Sequence, residues 1–380
     1  MGLHDSHSEM SETVEKTLWI LIALSLSAIE MLLPRIPFLP WLKPGLANCI
    51  TLLWIVRYGT LDAVLFSFLR TWIISFYFGF SFISFMLSTS GGVIATLVMG
   101  ICIQLSRNKA LFGIIGISMI GAAAHNCTQI FVIYILMVQN SFIFYQLPFM
   151  CGASLIFGLL IGLLAPAIFP IIDIRYTLPP FGARSPSRQS IIPEKKASFA
   201  GLVFFVLCIG IIFVKSSVIL AIAAVIISIC VQLICGVSHR TFLYPLKFWP
   251  FFLFIAFVYL FFSYGKKIHG IPFITIEGLT ETGNQFLRLW FWLQTSQLLT
   301  HFKFHTFFFT LLSRAFPSSA SVFNAALFAL ELFPDVLNFS RSKDSFKNLN
   351  FFRHPFISIK EYANRHKNLI ISKLTNYHNT

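Results

Sequence analysis

Apolar runs of about 20 residues recur along the chain, separated by short polar breaks. A run of that length crosses the hydrocarbon core of a bilayer as a helix. The short alternating segments of a β-barrel are absent. The pattern predicts spans at about 17–33, 45–58, 62–85, 91–105, 111–137 and 147–172. The second is short for a bilayer. Pro34, Pro37, Pro40 and Pro44 make the loop before it stiff and non-helical. Ser88-Thr89-Ser90-Gly91-Gly92 predicts a turn between the third and fourth spans. Residues 173–198 carry Pro179, Pro180, Pro186 and Pro193 and read as a polar linker. Further spans are predicted at about 199–214, 217–235 and 248–264, then two amphipathic helices at about 276–300 and 318–337. A basic break at 301–306 separates these two.

The composition fits that pattern. The 380 residues are 57% hydrophobic and 11% charged, with mean hydropathy +0.79. A soluble domain carries about 25% charged residues. The predicted fold is an all-α polytopic membrane protein of about ten segments. It has a six-helix N-terminal bundle and a C-terminal helical membrane domain with amphipathic cytoplasmic helices. Its parts are a polar segment 1–16, a substrate-binding membrane domain 17–173, a cytoplasmic linker 174–198, a second membrane domain 199–340 and a basic tail 341–380. The start lacks the basic n-region and cleavage site of a signal peptide. Seven cysteines lie in or beside apolar spans with no CxxC spacing, so core packing is expected, not a disulfide framework or a zinc site.

The net charge of +14 changes the picture only through its distribution. With the N-terminus inside, the inner loops hold Lys16, Arg57, Arg107 and Lys109, then Arg175, Arg184, Arg188, Lys195 and Lys196. The loops after spans three and five hold no Lys or Arg. That asymmetry sets the orientation in a cytoplasmic membrane, with the basic tail inside as well. The exception is the first outer loop, with Arg35 and Lys43. It reads as a capture loop or as a headgroup anchor. No motif for reading nucleic acid is present. Trp41, Trp54 and Trp72 near span ends fit an interfacial belt.

Candidate chemistry sits in the fifth span, where Gly121-Ala122-Ala123-Ala124 precede His125, Asn126 and Gln129. The small residues let a neighbouring helix come close. His125 and Gln129, four apart, share a face, with Asn126 beside it. Polar groups at that depth face a protein interior or a cavity. Arg70 lies inside the third span and needs a partner. Two arrangements fit: a structural Arg70–Glu30 pair, or a clamp in which Arg70 and Lys43 face an anionic group and Asn126 and Gln129 orient it. His125 by itself fits an interhelical hydrogen bond.

Enzymatic signatures are missing. No two aspartates cluster to hold magnesium on a diphosphate, and there is no P-loop, His-Glu-x-x-His or Gly-x-Ser-x-Gly. The chain is expected to be no enzyme, with no cofactor of its own; an accessory subunit of an enzyme stays open.

Residues 17–172 resemble the Gx transporter family, also labelled heptaprenyl diphosphate synthase component I. The resemblance rests on Glu30, Lys43-Pro44-Gly45-Leu46-Ala47-Asn48, Arg70, Ser88-Thr89-Ser90-Gly91-Gly92 and Gly121-Ala122…His125-Asn126…Gln129. It implies the substrate-binding component of an energy-coupling factor importer, a six-helix bundle holding a small solute under the first outer loop. Glu30, Lys43, Asn48, Arg70, His125, Asn126 and Gln129 are then the substrate-binding candidates. Residues 199–340 resemble the coupling component of such importers, through Ile276-Glu277-Gly278-Leu279, Arg288 and Leu330-Glu331-Leu332-Phe333-Pro334. This implies Glu277, Arg288, Glu331 and Pro334 as coupling residues and cytoplasmic ATPase subunits, which use the ATP, as partners. Where that family carries Ala-Arg-Gly motifs, this chain reads Asp335-Val336-Leu337-Asn338-Phe339-Ser340-Arg341. The expected partners are a small solute, the bilayer and those ATPases. The alternative is a membrane accessory subunit or carrier in polyprenyl diphosphate or quinone metabolism.

Overall fold

A computed structural model describes residues 2–32, 41–78, 81–109, 111–172, 218–234, 239–262, 265–268, 271–301, 314 and 319–341. The proline loop at 33–40, the linker 173–198, the span at 199–214, most of the break at 301–306 and the tail beyond 341 lie outside them.

The helices are α1 (Gly2–Leu32), α2 (Asn48–Tyr58), α3 (Thr60–Tyr77), α4 (Phe82–Lys109), α5 (Ile114–Ile133) and α6 (Leu147–Ile172). They continue as α7 (Val218–Ile234), α8 (Trp249–Phe262), α9 (Ile276–His301) and α10 (Ala320–Arg341). The chain is an all-α polytopic membrane protein. Five helical stretches are long and apolar enough to cross a membrane: Thr60–Tyr77, Phe82–Ser106, Ile114–Val138, Ser141–Pro170 and Phe242–Phe262. A small antiparallel hairpin, β1 (Lys267–Ile268) with β2 (Ile271–Thr275), is the one strand pairing among the described residues. Glu277 accepts the Lys266 amide at 2.8 Å and ties this hairpin to the first turn of α9.

The predicted break between spans three and four is displaced. Ser88–Gly92 lie inside α4, and the chain reverses between Tyr77 and Phe82 instead. The polar side chains there serve the helix: Ser90 Oγ donates back to Met86 O at 2.6 Å, and Thr96 Oγ1 to Gly92 O at 2.7 Å. The glycines mark close helix approach, not a turn. A Cβ on Gly92 would lie 2.9 Å from Ser67 Oγ, and one on Gly91 2.9 Å from the His125 ring. Gly121, as anticipated, sits where a Cβ would meet Met99 of α4.

The tryptophans also differ from expectation. Trp41, Trp54 and Trp72 are buried in the protein, with Trp19. Trp54 stacks on Phe66 at 4.2 Å and meets Trp19 edge-on at 5.9 Å. Aromatic surface here fills the bundle instead of belting the interface.

Helix α2 has 11 residues, about 16 Å of rise against a hydrocarbon core of roughly 30 Å. The segment before it therefore descends into the bundle, with Trp41 and Ala47 buried. Gly45, at φ +73°, supplies the turn.

The C-terminal helices pack on the bundle. α10 runs parallel to α1: Lys16 Nζ donates to Ser321 Oγ at 2.8 Å near its start, and Phe333 meets Tyr77 at 4.8 Å further on. The helical turn His239–Phe248 and α8 meet the bundle where Lys43 and Trp41 lie. Trp41 contacts Phe254 at 4.6 Å, and Phe142, in the α5–α6 connection, stacks on Phe262 at 3.5 Å.

Candidate functional site

The site begins with the short helix α2. Its descent brings Asn48 to α3, where Arg70 Nη2 donates to Asn48 Oδ1 at 3.1 Å. Glu30, near the end of α1, accepts the Ala47 amide at 3.3 Å. Its carboxylate faces the charges of Arg70 and Lys43. Lys43 Nζ lies 3.4 Å from Ser88 Oγ and 3.9 Å from Met31 Sδ. Glu30, Lys43, Asn48 and Arg70 thus form one polar group.

Helix α5 splits its three polar residues between two faces. His125 turns to α4 and lies on Gly91, within reach of the Arg70 and Lys43 charges. Gln129, four residues on, is 2% exposed. Asn126 turns the other way. Its Nδ2 donates to Met150 O at 3.2 Å and to Ser154 Oγ at 2.8 Å, tying α5 to α6.

Several buried atoms remain without a hydrogen bond of good geometry: Arg70 Nε, Ser67 Oγ, Thr89 Oγ1, His125 Nδ1 and Gln129 Oε1. Ser67 and Arg70 are three apart on α3, and Ser67 abuts Gly92. Each such orphan costs about 1–3 kcal/mol. Ser67 and Arg70 stand on α3, Thr89 on α4, and His125 and Gln129 on α5. Ser67 carried no motif; its signal was only its i, i−3 spacing from Arg70.

The coupling candidates are dispersed. Glu277 is exposed at the start of α9, while Arg288 is 3% exposed and faces Glu281 and Tyr259. Eleven residues of helix separate the two by about 16 Å, so they form no direct pair. Pro334 lies within α10; the side chain of Glu331 is outside the described ones. A second ionic cluster, unforeseen in the sequence, sits at the other end of the bundle. Lys16 is 2% exposed and lies 2.6 Å from Glu12 and 3.6 Å from Asp62, while Arg57 pairs with Glu15 at 3.3 Å. Among the described residues no group of three His, Cys, Asp or Glu side chains could hold a metal, and Cys49, Cys102, Cys127, Cys151 and Cys230 are free thiols.

Residues 19–168 match the family heptaprenyl diphosphate synthase component I. The matched stretch runs from α1 to the end of α6 and includes every substrate-binding candidate. It stops short of 199–340. No curated protein and no solved structure matches the chain.

Proposed function

We propose that this chain is a membrane transport protein for solute uptake of the energy-coupling factor type. The N-terminal bundle takes a small anionic solute from outside, and the C-terminal part links it to separate ATPase subunits. The supporting observation is the set of buried, unpartnered polar atoms on Arg70, Ser67, His125 and Gln129, at a depth where lipid offers nothing to hydrogen-bond. Arg70 and Lys43 supply the charge for an anion. Asn48 and Glu30 hold the loop and Arg70 in place, and Asn126 fixes α5 on α6.

The test is a solute screen by thermal shift on the full chain in lipid nanodiscs. Wild type is compared with Arg70→Gln and Gln129→Leu. A solute that raises the wild-type melting temperature but not that of the variants supports the site; equal protection of all three removes it. Coupling is tested by co-expression with candidate ATPases, and reproducible absence of any ATPase from the purified complex leaves a stand-alone carrier.

The family description favours a second reading, an accessory subunit in polyprenyl diphosphate metabolism. Co-purification with a synthase carrying aspartate-rich motifs, and binding of a prenyl diphosphate insensitive to Arg70→Gln, would select it.

A further inference from the structure

A cavity of about 60 Å³ opens beside Lys43. Its walls come from both parts of the chain: Lys43, Phe78, Ser81, Ser84 and Ser88 from the bundle, and Tyr244 and Phe248 from the turn that precedes α8. We propose that the solute pocket is composite. Lys43 and the α4 hydroxyls take an oxyanion, and Tyr244 and Phe248 form, with Phe78, an aromatic wall for the ligand's apolar body. This deepens the transport reading and rests on it.

The chemistry of the walls selects the ligand class. Lys43 is the charged residue lining the cavity, and four serine hydroxyls, of Ser75, Ser81, Ser84 and Ser88, can donate there. Glu30 also faces Lys43, but that carboxylate is shared with Arg70, accepts the Ala47 amide and does not line the cavity. The space corresponds to roughly four water-sized spheres at about 15 Å³ each. That suits a carboxylate or phosphate headgroup, not a diphosphate with a long chain. The rings are backed by the core: Tyr244 lies 5.5 Å from Phe248, Phe248 6.2 Å from Phe251, and Phe251 6.4 Å from Trp41, the last two buried. A flat apolar body would lie against the half-buried rings of Phe78, Tyr244 and Phe248. Lys247, exposed and 5.4 Å from the Tyr244 ring, adds positive charge nearby. The C-terminal part would then set specificity as well as coupling.

Calorimetric titration of the full chain in nanodiscs tests this with phenyl phosphate, benzoate, inorganic phosphate and benzylamine. Wild type should bind phenyl phosphate or benzoate at least tenfold more tightly than inorganic phosphate, and benzylamine not at all. Lys43→Gln should weaken every anion at least tenfold. Tyr244→Leu and Phe248→Leu should weaken the aromatic anion at least fivefold and leave inorganic phosphate unchanged, with Tyr244→Phe retaining wild-type affinity. If either leucine variant does not fold, Ser84→Val narrows the cavity from the bundle side and should weaken all anions. Aromatic-anion affinity unchanged in the folded variants overturns the composite pocket, as does wild type binding none of these anions. If Arg70→Gln abolishes binding while Tyr244→Leu does not, the pocket falls and the transport reading stands; if neither matters, both fall.

Discussion

Gly91→Ala tests whether the paired glycines of α4 exist for helix approach. The added Cβ would stand 2.9, 3.0 and 3.1 Å from Cε1, Nδ1 and Nε2 of His125. Comfortable contact needs roughly 3.5–4.0 Å, so the imidazole must retreat by about 0.5–1 Å. Overpacking of that size costs about 1–3 kcal/mol. Alanine in a helix interior returns about 1 kcal/mol relative to glycine. The net effect is a loss of up to about 2 kcal/mol. The second half of the cycle is decisive: in a His125→Ala background the clash vanishes and Gly91→Ala should stabilise by about 1 kcal/mol. The coupling between the two sites is then about 1–3 kcal/mol. Thermal unfolding of the four proteins in one detergent, followed by tryptophan fluorescence, measures it. Equal stabilisation by Gly91→Ala in both backgrounds would refute the packing of α4 on α5 described here.

Asn126→Ala removes two interhelical hydrogen bonds, each worth about 0.6–1.7 kcal/mol in membrane proteins. It should lower stability by about 1–3 kcal/mol while folded protein keeps its solute affinity; a lost affinity with unchanged melting would place Asn126 on the ligand instead. Lys16→Met leaves Glu12 and Asp62 facing each other. Full burial would make this about 3–5 kcal/mol, but both carboxylates keep solvent, so about 1–3 kcal/mol is expected by thermal unfolding. Adding Asp62→Asn to Lys16→Met should recover part of that loss.

Much of the bundle was legible because hydrocarbon imposes a simple rule on sequence. Span six was expected at 147–172 and α6 occupies Leu147–Ile172. Span five, expected at 111–137, appears as α5 and the π-helical turn Tyr134–Val138. The misplaced break between α3 and α4 shows where the rule fails. Gly-Gly beside three hydroxyl residues is a turn signal in water. In a membrane helix the same residues satisfy the backbone internally and thin the helix for a neighbour. The tryptophans misled for a related reason: position along a span gives depth, but not whether a ring faces lipid or protein.

The candidate site was half visible. Spacing gave the His125–Gln129 face, and the resemblance gathered Glu30, Lys43, Asn48 and Arg70. It did not show that Asn126 turns to α6, that Ser67 shares the α3 face of Arg70, or that Tyr244 and Phe248 line a cavity with Lys43. Those depend on helix rotation and on contacts across more than 150 residues of chain, which no local pattern encodes. By itself, then, the sequence determined that the chain lives in a bilayer, with helices whose backbones bond internally and a few polar groups that must be answered inside the protein. Only tertiary packing decided which of those groups answer one another and which stay open, because that choice is made by the neighbouring helix and not by the one that carries them.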